Sequence, residues 1–206
     1  MPVHRVHALI DLCEVISGPS GRQLEGPSTG IPGVPIINPP DLTTEHEVDP
    51  RQVKQVSPET AAGLSRYRLR AGDLVYVRQG TLGRRAVVGP EESSWLFGPA
   101  CLRIRPRSGA ILPRYLLHYL GHPRVHEAIV AQANRGQAVE TLASRTLAAT
   151  PVFVPDLERQ RAVAEVMEEV GVQVKVHRQL IAKHEAFGRG LLADLLNDAF
   201  DDPSAH

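Results

Sequence analysis

The chain has 206 residues, 42% of them hydrophobic, enough to bury one core and carry an appendage without staples. Its two cysteines, Cys13 and Cys101, lie far apart and argue against a disulfide framework or a cysteine zinc site. No apolar run approaches the ~18 residues of a membrane span and no secretory leader opens the chain, so a cytoplasmic protein without a membrane partner is expected. The formal net charge is zero, yet residues 1–155 hold 17 basic and 13 acidic residues and residues 156–206 hold 6 and 10. A basic part joined to an acidic one points to two different partners.

Leu9 to Ile16 alternates imperfectly and ends in Ser17-Gly18-Pro19-Ser20-Gly21, which predicts a strand feeding an exposed polar loop through Arg22 and Gln23. Ile31 to Ile37 is apolar but punctuated by Pro32 and Pro35. Proline removes ladder donors, so an edge strand is expected, closed by a turn at Asn38-Pro39-Pro40-Asp41. Ser57 as N-cap and Pro58 at the first helical position predict a short helix limited by Gly63.

Residues 66–107 hold nine arginines (66, 68, 70, 78, 84, 85, 103, 105, 107) and no lysine, against Asp73, Glu91 and Glu92, a local net of +6. The apolar residues are strand-like: Leu74 to Val77, Ala86 to Val88, then Leu102 and Ile104 alternating with Arg103 and Arg105. Between the first two runs, Gly80-Thr81-Leu82-Gly83 forms a turn flanked by Arg78-Gln79 and Arg84-Arg85. Arginine's planar fork suits phosphate oxygens and the O6/N7 edge of guanine, and glutamine suits adenine. One reading is a nucleic-acid surface. The other is an ordinary solvated strand face in an arginine-biased chain.

Pro113 opens a helix from Arg114 to about Leu120, and Pro123 opens another to about Ala133, stopped by Asn134-Arg135-Gly136. A short helical or irregular piece, Thr141 to Thr150, precedes the proline-bracketed strand Pro151 to Pro155. From Glu158 the pattern changes. Val163, Val166, Val170, Val174, Leu180, Phe187, Leu191 and Leu195, with His177 and His184 between them, recur at helical spacing over roughly five heptads. Gly171, Gly188 and Gly190 weaken this helix by about 1 kcal/mol each. One narrow apolar stripe calls for a partner helix, unless the helix folds back on its own domain.

Asn38-Pro39-Pro40-Asp41 invites comparison with the Asn-Pro-Pro-aromatic signature of amino-methyltransferases, where the aromatic stacks on a flipped base. Asp41 cannot stack, and no Gly-rich turn for a methyl donor is present. His118, His122 and His126 are spaced i, i+4, i+8, but Gly121 and Pro123 interrupt the helix and no carboxylate completes a ligand set. No metal, cofactor or catalytic group is expected.

Several segments together resemble the specificity subunit of type I restriction–modification systems. They are LIDLCEVISGPSG, IPGVPIINPPDL, AGDLVYVRQGTLGRRAVV and GQAVETLASRTLAATPVFVPDLERQRAVAEVM, in that order. The resemblance covers nearly the whole chain and implies a non-catalytic protein. Its target recognition domain, mixed α/β (α+β) with a small, curved, mostly antiparallel sheet and a few helices, reads one half of a double-stranded DNA site. The long coiled-coil-like C-terminal helix docks a modification (methyltransferase) subunit, with a restriction subunit as a further partner of the system. The family has two recognition domains and two spacer helices; here there is one of each. A half-subunit that forms a homodimer, one that pairs with a second half-subunit, and a truncation all stay open.

The expected division is a recognition domain over 1–155, a spacer and dimerisation helix over 156–200 and a disordered tail over 201–206. Phosphate contacts are expected from Arg66, Arg68, Arg103 and Arg105. Base contacts are expected from Ser20, Arg22 and Gln23 and from Arg78, Gln79, Thr81, Arg84 and Arg85. The alternatives are a protein-interaction scaffold that binds through the acidic helix, and a DNA-binding module with no methyltransferase partner.

Overall fold

A computed structural model describes residues 5–25, 32–133 and 141–200. Of the strand expected over Leu9 to Ile16, only the second half is extended. β1 (Arg5–Ala8) runs into a single helical turn, α1 (Leu9–Leu12), and the chain re-extends as β2 (Cys13–Ser17). Leu9 and Leu12 are buried while Ile10 and Asp11 are exposed, which is helical spacing, and the Asp11 carboxylate accepts the Ala8 N–H at 3.2 Å. The polar loop after β2 also coils once, as α2 (Gly21–Leu24).

β3 (Val34–Ile37) is followed by a 3-10 turn at Pro39–Asp41, then β4 (Lys54–Val56) and α3 (Pro58–Ala62). The Ser57 hydroxyl accepts the Thr60 N–H and Gly63 ends the helix, both as predicted. Next come β5 (Leu74–Val77), β6 (Arg85–Val87), β7 (Leu96–Phe97) and β8 (Cys101–Pro106). The helices α4 (Pro113–Gly121), α5 (Pro123–Ala133) and α6 (Ser144–Ala148) precede β9 (Pro151–Val154) and α7 (Leu157–Phe200). The proposed stop at Asn134-Arg135-Gly136 and the tail 201–206 lie outside the described residues.

The fold is mixed α/β, with antiparallel pairing predominating. A four-stranded antiparallel sheet has the order β2-β8-β5-β6, a three-stranded sheet the order β4-β3-β7, and β1 pairs with β9. β3 is therefore central and not an edge strand. Pro35 lies opposite Gln55 of β4, and the parallel pairing with β7 starts only at Ile36, past the proline, so the missing N–H interrupts no bond on that side.

Both faces of the four-stranded sheet are covered. On one, Leu74, Tyr76, Leu102 and Ile104 pack with Leu116, Leu120 and Ile129 of α4 and α5. On the other, Ile16, Val75, Val77, Ala86 and Cys101 pack with Ile37, Leu42, Leu69 and Phe97. α7 is docked over its first two turns. The fully buried Gln160 accepts the Leu112 N–H at 2.8 Å and donates to the Ala110 and Pro155 carbonyls at 2.9 and 2.8 Å. Two compact units divide after Ala164, so the first includes the start of the helix, beyond the expected limit at 155. Among the described residues no helix is long and apolar enough to cross a membrane.

Candidate nucleic-acid interface

β2 and β5 flank β8 and both run antiparallel to it, so both finish at the same end of the sheet. Ser17 lies opposite Leu102 and Val77 opposite Cys101. The Gly18 N–H donates to the Cys101 carbonyl at 3.1 Å and the Arg78 N–H to that of Ala100 at 2.9 Å. The two segments singled out for base contacts, Ser20 to Gln23 and Arg78 to Arg84, therefore leave one sheet end from strands about 10 Å apart.

In the first segment Ser20, Arg22 and Gln23 are exposed, and the Gln23 side-chain oxygen accepts the Ser20 N–H at 2.9 Å and its hydroxyl at 3.1 Å. In the second, Gln79, Gly80 and Thr81 are exposed at the tip. Gly80 and Gly83 have φ of +83° and +85°, where L side chains are strained, and this fixes why glycine bounds the turn. The loop is stiffened from within: Gly83 N–H to the Val77 carbonyl at 3.1 Å, and Arg84 N–H to that of Thr81 at 3.2 Å. Behind it, the Leu142 N–H donates to the Arg78 carbonyl at 2.8 Å and Arg78 Nε donates to the Leu142 carbonyl at 3.0 Å. Arg84, partly exposed, donates Nη1 to the Leu42 carbonyl at 3.2 Å.

The strand arginines differ from expectation. Arg103 is 2% exposed: it donates to Glu14 at 2.5 Å and to the Arg66 and Arg68 carbonyls at 2.9 and 3.3 Å, beneath the Phe97 ring. Burial lowers its pKa, with Arg105 adding to the effect. Arg105 forks onto Asp73, Nε at 2.7 Å and Nη2 at 2.6 Å, and reaches the Arg68 carbonyl at 3.0 Å; the bond to Asp73 raises its pKa. Arg85 is 8% exposed and bonds only carbonyls among the described residues, those of Leu117 at 2.6 Å and Gly83 at 2.8 Å. Arg85, Arg103 and Arg105 therefore differ from the open forks expected of them: the first two are buried and Arg105 is partly buried, each bonded to internal acceptors because the sheet is covered on both faces. Of the other two expected phosphate contacts, Arg66 is exposed and Arg68 is partly buried, with Nη1 on the Ser94 carbonyl at 2.6 Å.

One contributor was not legible from sequence. The segment between Leu42 and Val48, which form an isolated bridge, packs His46 behind the loop. His46 has φ +65° and makes edge contact with the His118 ring at 6.3 Å. Burial, then the positive charge of Arg85, push its pKa down to about 4, so the ring is neutral. A lone histidine in a polar stretch carries no signal of this. His126 lies against Gly83 of the loop and His118 against the His46 ring, and no cluster of metal-ligating side chains occurs among the described residues.

No protein-family model and no curated protein matches the chain. Solved structures do. One is a chain from a structure describing complex assembly and conformational transition of the type I restriction–modification system, with TM-score 0.68 and 21% identity, covering 98% of this chain and 47% of that one. A second is the HsdS subunit from Thermoanaerobacter tengcongensis, with TM-score 0.67 and 19% identity, covering 100% and 51%. A third is the S subunit of a type I restriction–modification system from M. genitalium, with TM-score 0.51 and 14% identity, covering 92% and 44%. The chain thus spans about half the length of each. Its fold is that of one half of a type I restriction–modification specificity subunit.

Proposed function

We propose that the chain reads double-stranded DNA sequence as a non-catalytic recognition half of a type I-like restriction–modification specificity subunit. The observation that carries this reading is the convergence of two polar, stiffened loops at one end of the four-stranded sheet, on a fold shared with specificity subunits. Exposed Gln79 and Thr81, with Ser20, Arg22 and Gln23, offer hydrogen-bonding groups for base edges. Exposed Arg66 supplies a phosphate contact, and the partly exposed Arg78 and Arg84 add forks for base edges. The exposed apolar stripe of α7 supports a role for residues 165–200 in binding other helices: those of a methyltransferase subunit and of a second copy or second half-subunit. The restriction subunit joins through such an assembly.

Selection from a randomised duplex library, followed by titration at several salt concentrations, tests this. Gln79→Ala and Thr81→Ala each weaken binding to the selected duplex by about 1–3 kcal/mol and leave scrambled duplex unaffected. Arg66→Ala weakens both and reduces the salt slope by about one. A chain that enriches no sequence and shows no salt-dependent affinity is instead a protein-interaction scaffold. If it enriches a sequence but co-purifies with no methyltransferase, it is a stand-alone DNA-binding module.

A further inference from the structure

Arg84 and Arg85 are adjacent in sequence, one partly exposed and the other buried. We propose that Arg85 is a positioning residue that fixes the loop Arg78 to Arg84 against α4 through the Gly83 carbonyl. This rests on the reading of that loop as a DNA-reading element. The guanidinium spans two carbonyls belonging to different elements: Nε to that of Leu117 within α4 at 2.6 Å, and Nη1 to that of Gly83 at the loop's end at 2.8 Å.

The seat is shaped for this group. A Cβ at Gly121 would fall on Nη2 of Arg85, so the fork occupies the notch that glycine leaves at the end of α4. At the loop end, a Cβ at Gly83 would strike the His126 ring and come within 3.3 Å of the Tyr76 hydroxyl; this glycine is wedged between β5 and α5. On the other side stands neutral His46, which adds no second charge. A buried cation held only by carbonyls costs more than a methionine of similar volume, and it returns geometry: one rigid fork sets the distance between helix and loop. Lysine is a single point charge on a flexible stem and cannot hold both carbonyls in that fixed relation.

Two variants of the full chain approach the contact from opposite sides: Arg85→Lys removes the fork, and Gly121→Ala displaces it while leaving Arg85 in place. Folding is checked by circular dichroism. Each should keep the wild-type affinity for scrambled duplex within twofold, keep its salt slope, and lose at least tenfold on the selected duplex. Amide exchange at Gly83 and Arg84 should accelerate at least tenfold in both. Wild-type discrimination together with wild-type amide protection in both variants overturns the proposal. An equal loss on selected and scrambled duplex with a smaller slope in Arg85→Lys overturns it in favour of a phosphate contact. If the wild type selects no sequence, the DNA reading fails by itself, and amide protection alone decides whether Arg85 holds the loop.

Discussion

The arginines of this chain separate by what accepts their protons. Arg105 is two-pronged on Asp73, which is 2% exposed, and Arg103 lies under Phe97 on Glu14 and two carbonyls. Removing Arg105 leaves the buried Asp73 carboxylate with the Arg70 N–H but without the cation that forks onto it. Arg105→Met should therefore cost about 3–5 kcal/mol in urea unfolding while leaving the salt slope of DNA binding as it is. A phosphate contact would behave oppositely, with stability kept and a slope smaller by one. The alternation of Leu102 and Ile104 with Arg103 and Arg105 correctly revealed a strand, because side-chain direction has period two. It could not tell which face was wet, since the cover comes from Leu69 and Phe97 elsewhere in the chain. The turn around Gly80 and Gly83 was legible because positive φ demands glycine locally, whereas His46 depends on tertiary packing that leaves no local mark.

At the scale of an element, α7 is where sequence pattern said most. Its 44 residues would extend about 66 Å, and it carries exposed Val166, Val170, Leu180, Phe187, Leu191 and Leu195. A strict alternation of four- and three-residue steps runs through Val163, Met167, Val170, Val174, His177, Ile181, His184, Gly188, Leu191 and Leu195, with Leu180 and Phe187 widening one flank. His177 satisfies its own Nδ1 on the Gln173 carbonyl at 2.7 Å. Laid antiparallel on a copy about a twofold at Gln179, the seam pairs Met167 with Leu191, Val170 with Gly188, Val174 with His184 and His177 with Ile181, large against small at the glycine. Mixing Met167→Cys with Leu191→Cys chains should give an oxidised cross-linked dimer, and Met167→Cys alone should give none. Self-linking of Met167→Cys would mean parallel pairing, and no cross-link in any combination would mean that the helix binds a different chain. The native Cys13 and Cys101 are fully buried and stay out of the reaction.

At the scale of the molecule, what matters is how many recognition units act together. The chain aligns over nearly all of its residues with about half of each specificity subunit it resembles. A subunit with two recognition domains of different sequence can read two different half-sites. Two copies of this chain related by a twofold carry identical loops, so the sequence they read together must be an inverted repeat. Selection from random duplexes in which every recovered site is such a repeat, together with a dimeric mass by sedimentation at the same concentration, is the expected result. Recovery of a single unrepeated half-site by a monomer would assign the second half to a different chain, and α7 would then find its complement in that chain's sequence. Charge favours neither pairing: the basic unit suits DNA in both, and residues 157–200 hold 6 basic and 7 acidic residues, so two copies of α7 are nearly neutral to each other. Self-pairing then rests on the apolar seam and should change little with ionic strength, while the grip on DNA weakens as salt rises. Those unlike salt dependences, measured on one preparation, would separate the two surfaces without a single substitution.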